Sequence, residues 1–329
     1  MIASPRRDTR RWLLALAALA ACLPGSVLAQ DNWPTRPIRY IVPFPPGGAT
    51  DVISRPILEL VREELGQPVV VENISGAGGS VGVARIARAA PDGYTIGLGN
   101  TGAMTVNPAL SADVGYNPLT DFTPISMLTE YDNILLVPVS SPVRSLRDLL
   151  DRARATPNGV TYASAGIGSS NHLSSELLGR TAGVQWLHVP YRGSAQALAD
   201  LLGSRVDFMF DVASTAMPTV RGGQTRAIAT TGRARHALLP DVPTVGESLS
   251  GFEIVGWMGV FAPRGLPDAI RDRLNAAFVK ALSRPQLVAR LQELGYAQRS
   301  STPQQLAERV ASDAALWGGV IRSANIRAE

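Results

Sequence analysis

The fold class predicted is α/β, with two lobes, each a mostly parallel sheet flanked by helices. Three observations carry it. Strand-like apolar runs alternate with helical stretches for most of the length. Glycine-bearing loops recur where a strand hands over to a helix. About 300 residues follow an N-terminal export signal, more than one comfortable core holds.

The signal comprises residues 1–29. Arg6, Arg7, Arg10 and Arg11 form a basic region, Trp12 to Leu23 an apolar one, and Val27-Leu28-Ala29 supplies small-residue cleavage chemistry. Thr9-Arg10-Arg11-Trp12-Leu13-Leu14 loosely fits a twin-arginine signal. Leu19-Ala20-Ala21-Cys22 also fits a lipoprotein box, with Cys22 as the lipidated residue. Cys22 is the only cysteine, which excludes disulfides, thiolate catalysis and zinc–thiolate sites from the exported protein. The formal charge of +4 owes most of its excess to the signal arginines and gives no support to nucleic-acid binding.

Strands are predicted at Ile38–Pro43, Pro68–Glu72, Tyr94–Gly99 and Ile134–Val139. A second set lies at Val160–Ala163, Gln185–Val189, Val206–Phe210 and Arg226–Thr230. Helices are predicted over Val52–Leu65, Ser80–Ala90, Ser145–Ala155 (begun by a serine cap), Ser174–Gly183 and Ala195–Leu202. Three more close the chain: Pro267–Ser283, Pro285–Leu294 and Pro303–Ser323. This order divides the exported chain into a discontinuous first domain, 30–130 plus 252–329, and a continuous second domain, 131–251. The connections fall near Thr129–Ile134 and Gly251–Gly259.

The most informative stretch is Phe44-Pro45-Pro46-Gly47-Gly48-Ala49-Thr50-Asp51, between the first strand and its helix. A glycine loop there leaves backbone N–H groups aimed outward at the positive end of the helix dipole, a site for a small anion. It lacks the lysine of a nucleotide-phosphate loop, so a carboxylate is the better guest. The device recurs at Asn73-Ile74-Ser75-Gly76-Ala77-Gly78-Gly79-Ser80, at Asn100-Thr101-Gly102, and at Ser164-Ala165-Gly166-Ile167-Gly168-Ser169-Ser170-Asn171-His172. One such loop is ordinary turn-making. Four in one α/β chain point to ligand loops beyond the carboxyl ends of the strands.

Ser170, His172 and Asp211 invite a nucleophile–base–acid reading, but there is no G-x-S-x-G elbow, and Ser170 and His172 sit on one helix start. None of the three histidines pairs with another at metal-ligand spacing. No cofactor is expected. Asp51 reads either as a first-turn acid supporting its own helix or as a residue that fixes the loop or orients water against a ligand. Arg192 reads more readily as a solvated charge than as a ligand clamp.

The chain resembles the extracytoplasmic solute receptors of tripartite tricarboxylate transporters, the Bug family, over essentially its whole exported length. The resemblance rests on PFPPGGATD (43–51), GAGGSVG (76–82), YASAGIGSSNHL (162–173), HVPYRG (188–193), DLLGSRVDFMFD (200–211), LPDVPTVGES (239–248) and WMGVFAP (257–263). It implies a two-lobed periplasmic binding protein of the type II, Venus-flytrap kind, holding a small organic acid between its lobes and docking transiently on transporter membrane subunits. The ligand candidates it implies are Phe44, Gly47, Gly48, Ala49, Thr50 and Asp51, with Gly78 and Gly79 from the second loop. Opposite them stand Gly168, Ser169, Ser170, Asn171 and Asp211. Ile74-Ser75 departs from the Arg-Pro of many relatives. The expectation is a periplasmic monomer that is not an enzyme. A sensory protein presenting its solute to a signalling receptor is the alternative, and a secreted hydrolase the remoter one.

Overall fold

The computed structural model describes residues 32–111 and 113–323. The export signal and Cys22 lie outside them. Two sheets form two lobes. The first has six strands in the order β11-β4-β10-β3-β1-β2, and the second five in the order β7-β6-β8-β5-β9. The first-sheet strands are β1 Ile38–Val42, β2 Val69–Asn73, β3 Thr95–Asn100, β4 Phe122–Tyr131, β10 Gly256–Pro263 and β11 Ala297–Gln298. Those of the second are β5 Asn133–Pro138, β6 Thr161–Ser164, β7 Leu187–Pro190, β8 Phe208–Val212 and β9 Thr225–Thr230.

Both sheets are mixed, which corrects the mostly parallel arrangement expected. β1 runs parallel to β2 and β3, and β6 parallel to β7 and β8. β10 runs antiparallel between β3 and β4, and β5 antiparallel between β8 and β9. Three strands absent from the sequence reading, β4, β10 and β11, supply the antiparallel part of the first sheet; in the second, the predicted strand β5 runs against its neighbours. Pro124 inside β4 argues against a central strand, because proline donates no ladder hydrogen bond. The structure accommodates it where the β4–β10 register shifts, with Pro124 opposite Phe261.

Helices follow the strands of each parallel unit. α1 (Ala49–Leu65) follows β1, and α2 (Ser80–Ala87) follows the β2 loop. After β3 a wide helical turn, Gly102–Val106, runs into a short helix, α3 (Asn107–Leu110). The second lobe carries α4 (Leu146–Ala155), α5 (Ser170–Ala182), α6 (Ser194–Leu202) and α7 (Ala213–Arg221). α5 begins four residues earlier than its apolar pattern indicates, because Ser169 caps it and polar residues fill its first turn.

The chain crosses between lobes where β4 runs into β5 and again between Thr231 and Gly256. Thr231 ties the crossings together: its hydroxyl accepts from Asn133 N–H (2.9 Å) and donates to Ile254 O (2.8 Å). The closing helices are α8 (Asp268–Leu282), α9 (Pro285–Glu293) and α10 (Pro303–Ser323). α10 spans both lobes. Leu306 and Val310 pack with Trp257 and Phe261 of the first, while Trp317 and Ile321 join the core containing Leu135, Tyr162 and Phe208 of the second.

Candidate functional site

The first wall is the loop from β1 into α1, and its conformation is set by Asp51. Gly47 N–H donates to Asp51 Oδ2 (3.0 Å), and Arg55 donates to both carboxylate oxygens (2.9 Å each). Asn73, at the end of β2, donates to Asp51 Oδ1 (3.1 Å) and to Phe44 O (2.9 Å), bracing one loop with the next. Burial pushes the Asp51 pKa up, but the Arg55, Gly47 and Asn73 bonds outweigh it and hold the carboxyl below its ordinary range. Asp51 is thus a loop anchor facing its own lobe. Ahead of it, Gly48, Ala49 and Thr50 bring the open end of α1 to the cleft. The Thr50 hydroxyl oxygen is buried there without a hydrogen-bond partner. A buried hydroxyl left unsatisfied is costly, so this one calls for a partner from the cleft.

The second wall is built from β6, β7 and β8. The Ser169 hydroxyl caps α5 by accepting from His172 N–H (3.4 Å), and His172 Nδ1 in turn accepts from Gly168 N–H (3.2 Å). The His172 ring stacks on His188 at 4.5 Å, and His188 Nε2 meets the Ser164 hydroxyl at 2.7 Å. Burial lowers His172 to about 4; burial, then the neighbouring His172, lowers His188 to about 3. Both rings are neutral near pH 7 and serve the loop as packing and as acceptors.

Asp211 ends β8 and is fully buried. Its Oδ1 accepts from Val212 N–H (2.9 Å), Ser194 Oγ (3.0 Å) and Asn171 Nδ2 (3.2 Å), and its Oδ2 from Thr215 Oγ1 (2.5 Å). These donors belong to the starts of α5, α6 and α7, so one carboxylate aligns three helix N-termini. Burial raises its pKa to about 6 against the lowering effect of those bonds.

The walls meet in a cleft of about 80 Å³. The first turns of α1, α5 and α6 converge on it, each with N–H groups that the helix cannot satisfy itself. Arg192 and Asp211 are the only formally charged lining residues. Ser170 Oγ faces Asn133 Oδ1 (3.5 Å) and not His172, so the triad geometry does not form. Among the described residues no His, Cys, Asp or Glu group of three is placed to hold a metal, and no helix is long and apolar enough to cross a membrane.

Of the residues singled out in the sequence, Phe44, Gly48, Ala49, Thr50, Ser169, Ser170, Asn171 and Asp211 line the cleft. Gly47, Asp51, Gly78, Gly79 and Gly168 do not. Gly79 lets the Phe44 ring approach, since a Cβ there would lie 3.1 Å from its edge. Gly78 and Gly168 sit where the lobes touch. A Cβ on Gly78 would fall 2.0 Å from Ile167 O, and one on Gly168 1.3 Å from Asn107 Oδ1. The sequence reading missed the α6 start, where Gly193, Ser194, Ala195 and Gln196 repeat the glycine-loop device after β7. The signal was present in Tyr191-Arg192-Gly193. Asn100, from the loop flagged at Asn100-Thr101-Gly102, lines the cleft at the end of β3; Tyr131 and Met258, which reach it from β4 and β10, were missed and carry no local motif.

Two mixed-sheet lobes with opposed helix N-termini around a shared cleft define a two-lobed solute-binding protein. The chain belongs to the tripartite tricarboxylate transporter family receptors, whose family model matches residues 53–326. It is 42% identical over 316 residues to the UPF0065 protein of the tcbD–tcbE intergenic region of Pseudomonas sp. strain P51, covering 95% of this chain and 94% of that one. To the protein BugT of Bordetella pertussis it is 34% identical, with 94% and 96% covered. Among solved structures, R. palustris Rpa4515 with adipate superposes with a TM-score of 0.87 at 35% identity, covering 90% of this chain and 99% of that one. MatC from Rhodopseudomonas palustris with bound malate gives 0.84 at 36%, with 88% and 100% covered. The chain is a solute receptor of this family.

Proposed function

We propose that the cleft captures a small carboxylate and that the loaded receptor delivers it, in the periplasm, to the membrane subunits of a tripartite transporter. Export by residues 1–29 fits that location. The lobes divide as 30–130 with 252–329, and 131–251, and the ligand sits between them without chemical turnover. The observation that supports this reading is the convergence of three helix starts on one cleft whose wall includes Thr50, with a buried, unpartnered hydroxyl. N–H groups at a helix start, with a hydroxyl beside them, solvate a carboxylate without a counter-cation. Adipate and malate, bound by two family relatives, are small carboxylates.

Charge-assisted hydrogen bonds contribute roughly 1.5–3 kcal/mol each. Four or five of them, offset by roughly 4 kcal/mol or more of association cost, leave about −8 kcal/mol, near micromolar affinity. Thr50→Val keeps the shape of the side chain and removes its hydroxyl. It is expected to weaken binding of the acid about tenfold or more in calorimetric titration, with the melting temperature little changed. Unchanged affinity would remove Thr50 from the site.

A further inference from the structure

The lining chemistry narrows the guest, on the basis of the receptor reading above. A bound ammonium group needs a negative charge or several free acceptors to replace its water shell. The one carboxylate in the wall, Asp211, already accepts from four donors and is fully buried. Three neighbouring acceptors are engaged as well, which leaves single hydroxyls, Thr50 among them, rather than a cluster of free acceptors. Asn100 Oδ1 takes Ala103 N–H (2.9 Å), Gln196 Oε1 takes Arg192 N–H (3.3 Å), and Ser169 Oγ takes His172 N–H. The rest of the wall supplies apolar surface from Phe44, Pro45, Tyr131, Ala195, Val212 and Met258. Its volume of about 80 Å³ suits a compact guest.

We infer that the cleft selects compact carboxylic acids with an apolar body and discriminates against their amino-acid counterparts. The acid end meets the helix starts, and the body replaces water against the apolar wall. An added ammonium would face the positive ends of α1, α5 and α6 with no charge to pair with.

Matched pairs that differ only by the α-ammonium group test this directly: glutarate against glutamate, succinate against aspartate, and 3-phenylpropionate against phenylalanine. In calorimetric titration of the exported protein, at least one ammonium-free acid is expected to bind tenfold or more tighter than its amino-acid twin. An amino acid that binds as tightly as its twin, or tighter, overturns the selectivity while leaving the receptor reading intact. Failure of all six to bind overturns the compact acid as the guest of this cleft, and this inference with it. Ala195→Asp gives a second, independent test, because an acid in the first turn of α6 suits the helix and places a free carboxylate in the wall. It is expected to weaken the ammonium-free acid at least tenfold and to narrow or reverse the gap between the twins. An unaltered gap overturns the assignment of this wall as the discriminator.

Discussion

Valine at position 78 is expected to abolish tight ligand binding while leaving each lobe folded. Gly78 lies at the contact between lobes, with φ of +60°, and a side chain there would run into Ile167 O at 2.0 Å. Backbone cannot yield to that overlap as the end of a flexible side chain would. Left-handed φ adds roughly 1–2 kcal/mol of strain for a non-glycine residue. Lobes that part to admit ligand would escape the clash, so the mutation is expected to penalise the closed arrangement, in which the second wall completes the site. Affinity should fall by about a hundredfold or more. The same holds for Gly168→Val, whose side chain would overlap Asn107. Near-normal affinity in both variants would show that lobe contact is not part of capture.

The second large effect is expected at Asp211. Removing the carboxylate strands the Thr215 and Ser194 hydroxyls, the Asn171 amide and Val212 N–H in the interior of the second lobe. Asp211→Ala should therefore cost about 3–5 kcal/mol and lower the melting temperature by roughly 10 °C. Asp211→Asn keeps the shape and isolates the charge. The folded pKa of about 6 lies above the reference value of 3.8, so the native state holds the proton where the unfolded state has lost it. Stability from this group is complete below about pH 4 and is lost as pH rises to about 6. Asparagine does not titrate. The stability lead of the parent over Asp211→Asn should thus shrink across that window. A lead that stays flat or grows would mean that burial does not control this group.

The α/β class and the anion-binding loops are legible in the sequence because they depend on local chemistry: β1 as an apolar run, Gly48 at a helix start, Ser169 as a cap. Asp211 is legible from its place at the end of a predicted strand, where ligands of open sheets sit, but its four donors are not. β4 and β10 are less legible. Pro124 and the alternation of Thr123, Ser126 and Thr129 disguise a buried strand whose defects are absorbed by register shifts against β10. The roles of Gly78 and Gly168 are illegible for a different reason. Either glycine alone is an ordinary turn former, and only the juxtaposed lobes show what a Cβ would strike. Asp51 is the instructive middle case: its readings as first-turn acid and as loop anchor both describe bonds that it makes.

The most direct test is the structure of the receptor saturated with an acid that it binds. The carboxylate oxygens should lie within hydrogen-bond distance of the Thr50 hydroxyl and of N–H groups from the starts of both α1 and α5. An acid held by Arg192 alone, or by one lobe with the other turned away, would contradict capture between opposed helix starts.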